Sequence, residues 1–160
     1  MKILISACLL GSPVRYNATD LLLEHPLIKK WQAENILVPL CPEVAGGLPV
    51  PRSPAEINSG DGLSVLQGQS KLLDKSGNDV TEAFVNGASH ALKIAQQHNC
   101  VAAILTERSP SCGSQQIYDG SFSGVRKSGM GVTTALLKQN SIKVFNQHQL
   151  VQLDVFLKKS

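Results

Sequence analysis

The four cysteines of this 160-residue chain, Cys8, Cys41, Cys100 and Cys112, are the residues with the most latent chemistry. Their compartment decides what they can do. The opening MKILISAC holds one lysine and a brief apolar run that passes into Gly11-Ser12-Pro13, well short of a secretory leader or a membrane span. A cytoplasmic location is the expectation, and that reducing environment disfavours a structural disulfide framework. Metal binding or thiol reactivity then becomes the default, with an inert buried thiol the alternative for each cysteine. No Cys-x-x-Cys occurs, which counts against a thioredoxin-type pair and a zinc ribbon.

The loops around three of these cysteines are built from turn residues: LLGSPVRYN after Cys8, PEVAGGLPVPR after Cys41, and SPSCGS around Cys112. Glycine and proline there fix sharp turns and let backbone N–H groups approach a ligand. Cluster sulfides and bound anions both favour such donors. Glu43 stands two residues after Cys41, where a carboxylate can act as general base on water or can be a solvated loop residue. Ser109 and Ser111 flank Pro110 just before Cys112; their hydroxyls can orient a substrate or serve only the turn. Arg15, Tyr16 and Arg52 offer an anion or a planar heterocycle two cations and a stacking face, although surface ion pairs are the commoner use of arginine. The histidines, at 25, 90, 98 and 148, fall in or beside expected helices, away from the cysteine loops, and none is assigned as a ligand. No Gly-x-Gly-x-x-Gly follows the first apolar run and no Gly-x-x-x-x-Gly-Lys-Ser/Thr occurs, so a dinucleotide or ATP site is unsupported.

The elements that must position these residues follow from hydrophobic patterning. Residues 3–8, 36–40, 101–105 and 142–145 are short apolar runs bounded by polar or turn residues, as expected of parallel strands buried on both faces. Helical spacing is expected over 24–34, 80–97, 130–139 and 148–158, with Asp79 or Thr81 as a cap and His98-Asn99 as a stop for the second. This alternation predicts a single α/β domain over residues 1–160, Rossmann-like or flavodoxin-like, with a mainly parallel sheet and helices on both faces. Residues 62–74, with Gly68-Gln69 between two short runs, suggest a small hairpin or flap. The formal charge of +3 is scattered rather than clustered and gives no case for nucleic-acid binding.

In such a sheet, ligands collect outside the carboxyl ends of the strands. Cys8 and Cys41 close the first and second expected strands, and Cys112 lies in the loop after the third. All three belong on one crest. Cys100 precedes the third strand and belongs at the opposite end. Three thiolates are one short of a closed structural iron–sulfur or zinc site, and an open position is what a catalytic centre uses to bind substrate. Three cysteines in turns without a shared ligand is the alternative.

The segments ISACLLGSPVRYN, LCPEVAGGLPVPRSPAEI, GNDVTEAFVNGA, ERSPSCGSQQIYDGSFSG and GMGVTTALL, which together span nearly the whole chain, resemble a bacterial family first catalogued as a domain of unknown function and known for 2-thiouracil desulfidase. The resemblance implies a [4Fe-4S] cluster on Cys8, Cys41 and Cys112, with one iron free of protein ligands, supplied by the iron–sulfur assembly machinery. It further implies non-redox exchange of sulfur for oxygen on a small thionucleobase, 2-thiouracil to uracil, with release of sulfide. Glu43 would activate water and Ser109 would hold or protonate the substrate, with Arg15, Tyr16, Ser111 and Arg52 around it. No membrane or nucleic-acid partner is expected. A sulfur or cluster carrier without turnover, and a desulfidase acting on thiolated tRNA, are the competing expectations. One departure stands in the loop after Cys8, where the family pattern has an acidic residue and glycine and this chain has Asn17-Ala18.

Overall fold

In the computed structural model, which describes residues 1–159, the apolar runs pair into one parallel sheet. Its strands are β1 (Lys2–Ser6), β2 (Leu37–Leu40), β5 (Cys100–Ile104) and β8 (Lys143–Phe145), in the order β2-β1-β5-β8. The remaining elements are α1 (Pro26–Ala33), α2 (Pro42–Ala45), β3 (Ala55–Ile57), α3 (Gly62–Leu66), β4 (Leu72–Asp74), α4 (Thr81–Gln97), β6 (Gln116–Tyr118), β7 (Arg126–Ser128), α5 (Val132–Gln139) and α6 (Leu150–Lys158).

Strand pleating explains why the central runs are apolar throughout. On β1, Ile3 and Ile5 face Ile28 and Trp31 of α1 and Leu150 and Leu153 of α6, whereas Leu4 faces Ala91 and Ala95 of α4 and Leu137 of α5. The sheet is thus covered on both faces, as expected of a Rossmann-like or flavodoxin-like domain. A third apolar cluster lies beside it, where Phe84 and Ala88 of α4 pack on Ile57, Leu72 and Ile117. Each large side chain buried there or in the main core contributes about 1.5–3 kcal/mol. Among the described residues no helix is long and apolar enough to cross a membrane.

Three expectations are revised. Strand β1 ends at Ser6, and Cys8 lies in a 3-10 turn, Ala7–Leu10, that bends the chain onto the crest. Residues 62–74 are not a hairpin. Asp61 accepts from the Leu63 N–H while the Ser64 hydroxyl accepts from the Asp61 N–H, a capping box that makes the first run a helix. The second run, β4, pairs antiparallel with the upstream β3 instead. The cap expected for α4 is divided: Asp79 accepts from the Thr81 N–H at 3.0 Å, and the Thr81 hydroxyl accepts from the Leu72 N–H at 2.9 Å, tying the helix to β4.

Candidate active site

The carboxyl ends of β1, β2 and β5 meet where the strand order reverses, and the loops leaving them carry Cys8, Cys41 and Cys112. All three thiols line one cavity of ≈ 630 Å³. Cys100 pairs with Lys2 at the opposite end of the strands. Among the described residues no three His, Cys, Asp or Glu side chains are grouped for a single metal ion. The thiols share a chamber rather than a one-ion cage.

Each sulfur has a polar neighbour on the crest. Cys8 Sγ shares a hydrogen bond of 3.1 Å with Thr106 Oγ1, Ser6 Oγ donates to Cys112 Sγ at 3.9 Å, and Cys41 Sγ lies 3.9 Å from the Val14 carbonyl. Ser6 also accepts the Thr106 N–H at 3.0 Å, so one hydroxyl joins the ends of β1 and β5 to the Cys112 thiol. Burial pushes all three thiols above their ordinary pKa, and at Cys112 the proximity of Cys41 and Glu43 adds to it. Burial thus favours the neutral thiols, and a positively charged group bound among them would favour the thiolates.

The loop bearing Cys112 is fixed from both ends. The Glu107 carboxylate accepts the N–H groups of Ser114, Gln115 and Gln116 at 2.8–3.1 Å, the Ser114 hydroxyl at 2.7 Å and the Asn146 amide at 2.7 Å. Burial opposes its ionisation, but these donors outweigh burial and hold the carboxyl at about 2. At the other end the first amides of α5 are occupied: Val132 donates to the Pro110 carbonyl and Thr133 to the Ser111 carbonyl, both at 2.9 Å. Thr134 Oγ1 donates to the Cys112 carbonyl at 2.9 Å.

Cys41 and Glu43 are placed by α2, which crosses α4 at two glycines. A Cβ on Gly87 would lie 2.0 Å from the Pro42 carbonyl oxygen, and one on Gly46 2.0 Å from that of Ala83. Glu43 is held on both oxygens: Arg52 Nε donates to Oε1 at 3.0 Å and Ser109 Oγ to Oε2 at 3.3 Å. Ser109 Oγ in turn accepts the N–H groups of Ser111 and Cys112 at 3.0 and 3.1 Å. With both acceptor positions filled, its one hydrogen is directed at Glu43.

Of the residues singled out in the sequence, Cys8, Cys41, Cys112, Glu43, Ser109, Arg15 and Tyr16 line this cavity. Two do not. The Arg52 side chain is only 6% exposed and is spent on Glu43 and the carbonyls of Pro49 and Val14. Ser111 is fully buried, its hydroxyl paired with Thr133 at 2.8 Å. His148, set aside because it falls at the start of an expected helix away from the cysteine loops, lines the cavity, since the loop after β8 leaves the same crest. Thr106, Glu107, Tyr118 and Phe122 were also missed: the first two open the loop that carries Cys112, and the other two are brought in by the β6–β7 hairpin, which the apolar pattern does not show.

A model of the 2-thiouracil desulfurase family matches residues 3–149. The chain belongs to that family. A relative from Bacillus subtilis (strain 168), the uncharacterized protein YbbK, is 47% identical over 148 residues, 92% of this chain and 97% of that protein. A solved structure described as the [4Fe-4S]-dependent thiouracil desulfidase TudS (DUF523Vcz) superposes with a TM-score of 0.91 at 43% identity, covering 99% of each chain. In this member of the 2-thiouracil desulfurase family Ala18 adopts φ 61°, a left-handed conformation that costs alanine about 1–2 kcal/mol.

Proposed function

We propose that this chain hydrolyses the carbon–sulfur bond of a 2-thiouracil-like base, with a [4Fe-4S] cluster on Cys8, Cys41 and Cys112. The observation that carries the reading is the convergence of three thiols from three strand ends on a cavity that also holds a fixed carboxylate. The donor set fits the group. Thiolates are the ligands such clusters take, and three of them leave one iron without a protein ligand. When bound, the cluster supplies that iron as a Lewis acid toward the thiocarbonyl sulfur.

The rest of the chemistry falls to side chains. Glu43, fixed by Arg52, takes a proton from water as the oxygen adds to the thiocarbonyl carbon. Ser109, whose hydrogen already points at Glu43, connects that carboxylate to the substrate side of the cavity and passes the proton on. The carbon–oxygen bond forms, the carbon–sulfur bond breaks, and sulfide leaves with the protons of the water. No electron is gained or lost overall. Arg15 and Tyr16, which line the cavity, hold the base.

Anaerobic reconstitution with iron and sulfide, followed by addition of 2-thiouracil, is the test. Equal amounts of uracil and sulfide are expected. An iron-replete sample that releases neither overturns the reading.

A further inference from the structure

Aromatic side chains are scarce here: four phenylalanines, two tyrosines and one tryptophan. Trp31 and Phe84 are buried in the core. Phe145 and Phe156 pack on each other with ring centroids 5.9 Å apart. The other three, Tyr16, Tyr118 and Phe122, all line the cavity. Every aromatic residue not used for packing has been brought to this one chamber.

Phe122 is the most constrained of the three. It belongs to none of the apolar clusters, so core packing does not explain its size. Its backbone sits at φ 57°, a left-handed conformation that a bulky residue rarely adopts and that persists only where surrounding structure enforces it. The enforcing group is Glu56 on β3. One carboxylate oxygen, Oε1, accepts the Gly120 N–H at 2.9 Å and the Phe122 N–H at 3.1 Å. Gly120 itself, at φ 95°, lies so close to β3 that a Cβ would come within 2.5 Å of the Ile57 carbonyl oxygen. The tip of the β6–β7 hairpin is thereby fastened across β3, with Phe122 in the cavity lining.

We propose that Phe122 is the stacking wall that recognises the planar ring of the substrate, and that Glu56 is the positioning residue that aims it. This rests on the desulfidase reading and names the part of that site which selects a flat heterocycle. A phenyl ring moves no proton, so its work belongs to binding. Glu56 acts through a single oxygen, so a glutamine, whose amide oxygen accepts the same two N–H groups, should replace it.

Four variants test this, with iron and acid-labile sulfide quantified in each. Phe122→Asn removes the ring but keeps a residue that tolerates the left-handed backbone. It should raise both the KM for 2-thiouracil and the Kd from equilibrium dialysis of 2-thiouracil by about tenfold or more, the usual loss for a base deprived of its aromatic partner. Its kcat should stay within about threefold of wild type. Phe122→Tyr should resemble wild type. Glu56→Ala should raise KM and Kd as Phe122→Asn does although the ring remains, and Glu56→Gln should restore them. Weakened binding in Phe122→Asn at unchanged iron content supports the inference even if wild type binds without turnover, in which case the desulfidase reading alone falls. Unchanged KM and Kd in Phe122→Asn overturn the inference and leave that reading intact. Wild type that neither binds nor desulfurates 2-thiouracil overturns both. Should Phe122→Asn fail to fold, the Glu56 pair decides, and equal KM values for Glu56→Ala and Glu56→Gln overturn the inference.

Discussion

At the scale of single residues, Glu43 carries the sharpest consequence. Its carboxylate is the one acidic group that is both in the cavity and bonded to Ser109 and Arg52. Glu43→Gln keeps an oxygen for Arg52 but cannot take a proton from water. Turnover should fall by about 10²–10⁴-fold while iron content and thermal midpoint stay near wild type, since general base catalysis is worth about that much. Retention of most of the activity would remove Glu43 from the mechanism. Sequence had singled out Glu43 by its distance of two from Cys41, and Ser109 by its place before Cys112. It also grouped Arg52 and Ser111 with the substrate, because chain proximity says nothing of which way a side chain turns. Arg52 turns back to hold Glu43, and Ser111 turns inward to Thr133. Burial, which sequence does not display, separates the two kinds of neighbour.

At the scale of elements, the crossing of α2 on α4 and the Glu107 loop determine where the sulfurs stand. Gly87→Ala should improve helix propensity by about 1 kcal/mol yet destabilise the protein by about 1–3 kcal/mol net, because its methyl would sit 2.0 Å from the Pro42 carbonyl oxygen. Denaturant titration reads the balance, and a stabilised variant would mean that α2 shifts freely. Glu107 makes a pH-dependent contribution. Its carboxyl is held at about 2, below an unfolded value of 4.5. A depressed carboxylate stabilises the fold above the unfolded pKa, and that contribution is lost as pH falls through the folded one. Apoprotein stability should therefore decline between about pH 4.5 and 2, by about 1–2 kcal/mol once solvent screening of this half-buried group is allowed for. Glu107→Gln should flatten that decline. These features differ in how well sequence announces them. The four core strands and the long helices were legible because each buries a continuous face. The β6–β7 hairpin was not: QIY and RKS are three residues each, one of them charged and largely exposed, with no periodicity to read. The Asp61–Ser64 capping box was present in the sequence, but Gly68-Gln69 drew attention as a turn when it only ends α3.

For the whole molecule, the order β2-β1-β5-β8 does what no local motif could. It brings Cys8, Cys41 and Cys112, separated by 33 and 71 positions in the chain, to one crest while sending Cys100 to the far end. A group bound by all three would fasten the loops after β1, β2 and β5 to one another. Such a group binds the folded chain and not the unfolded one, so it must raise stability by mass action. Iron-loaded protein should unfold at a higher temperature than apoprotein, and the difference should vanish in Cys8→Ser, Cys41→Ser and Cys112→Ser. Cys100→Ser should keep both the iron and the difference, although it disturbs the core, because its sulfur lies at the start of β5. The comparison is within each variant, loaded against unloaded, so a packing defect shifts both states and cancels. Equal midpoints for loaded and unloaded wild type, or a Cys100→Ser variant that loses its iron, would mean that the crest is not where the cluster binds. Retention of the full difference in Cys112→Ser would instead remove the most deeply buried thiol from the ligand set and leave the loop held by Glu107 and α5 for another purpose.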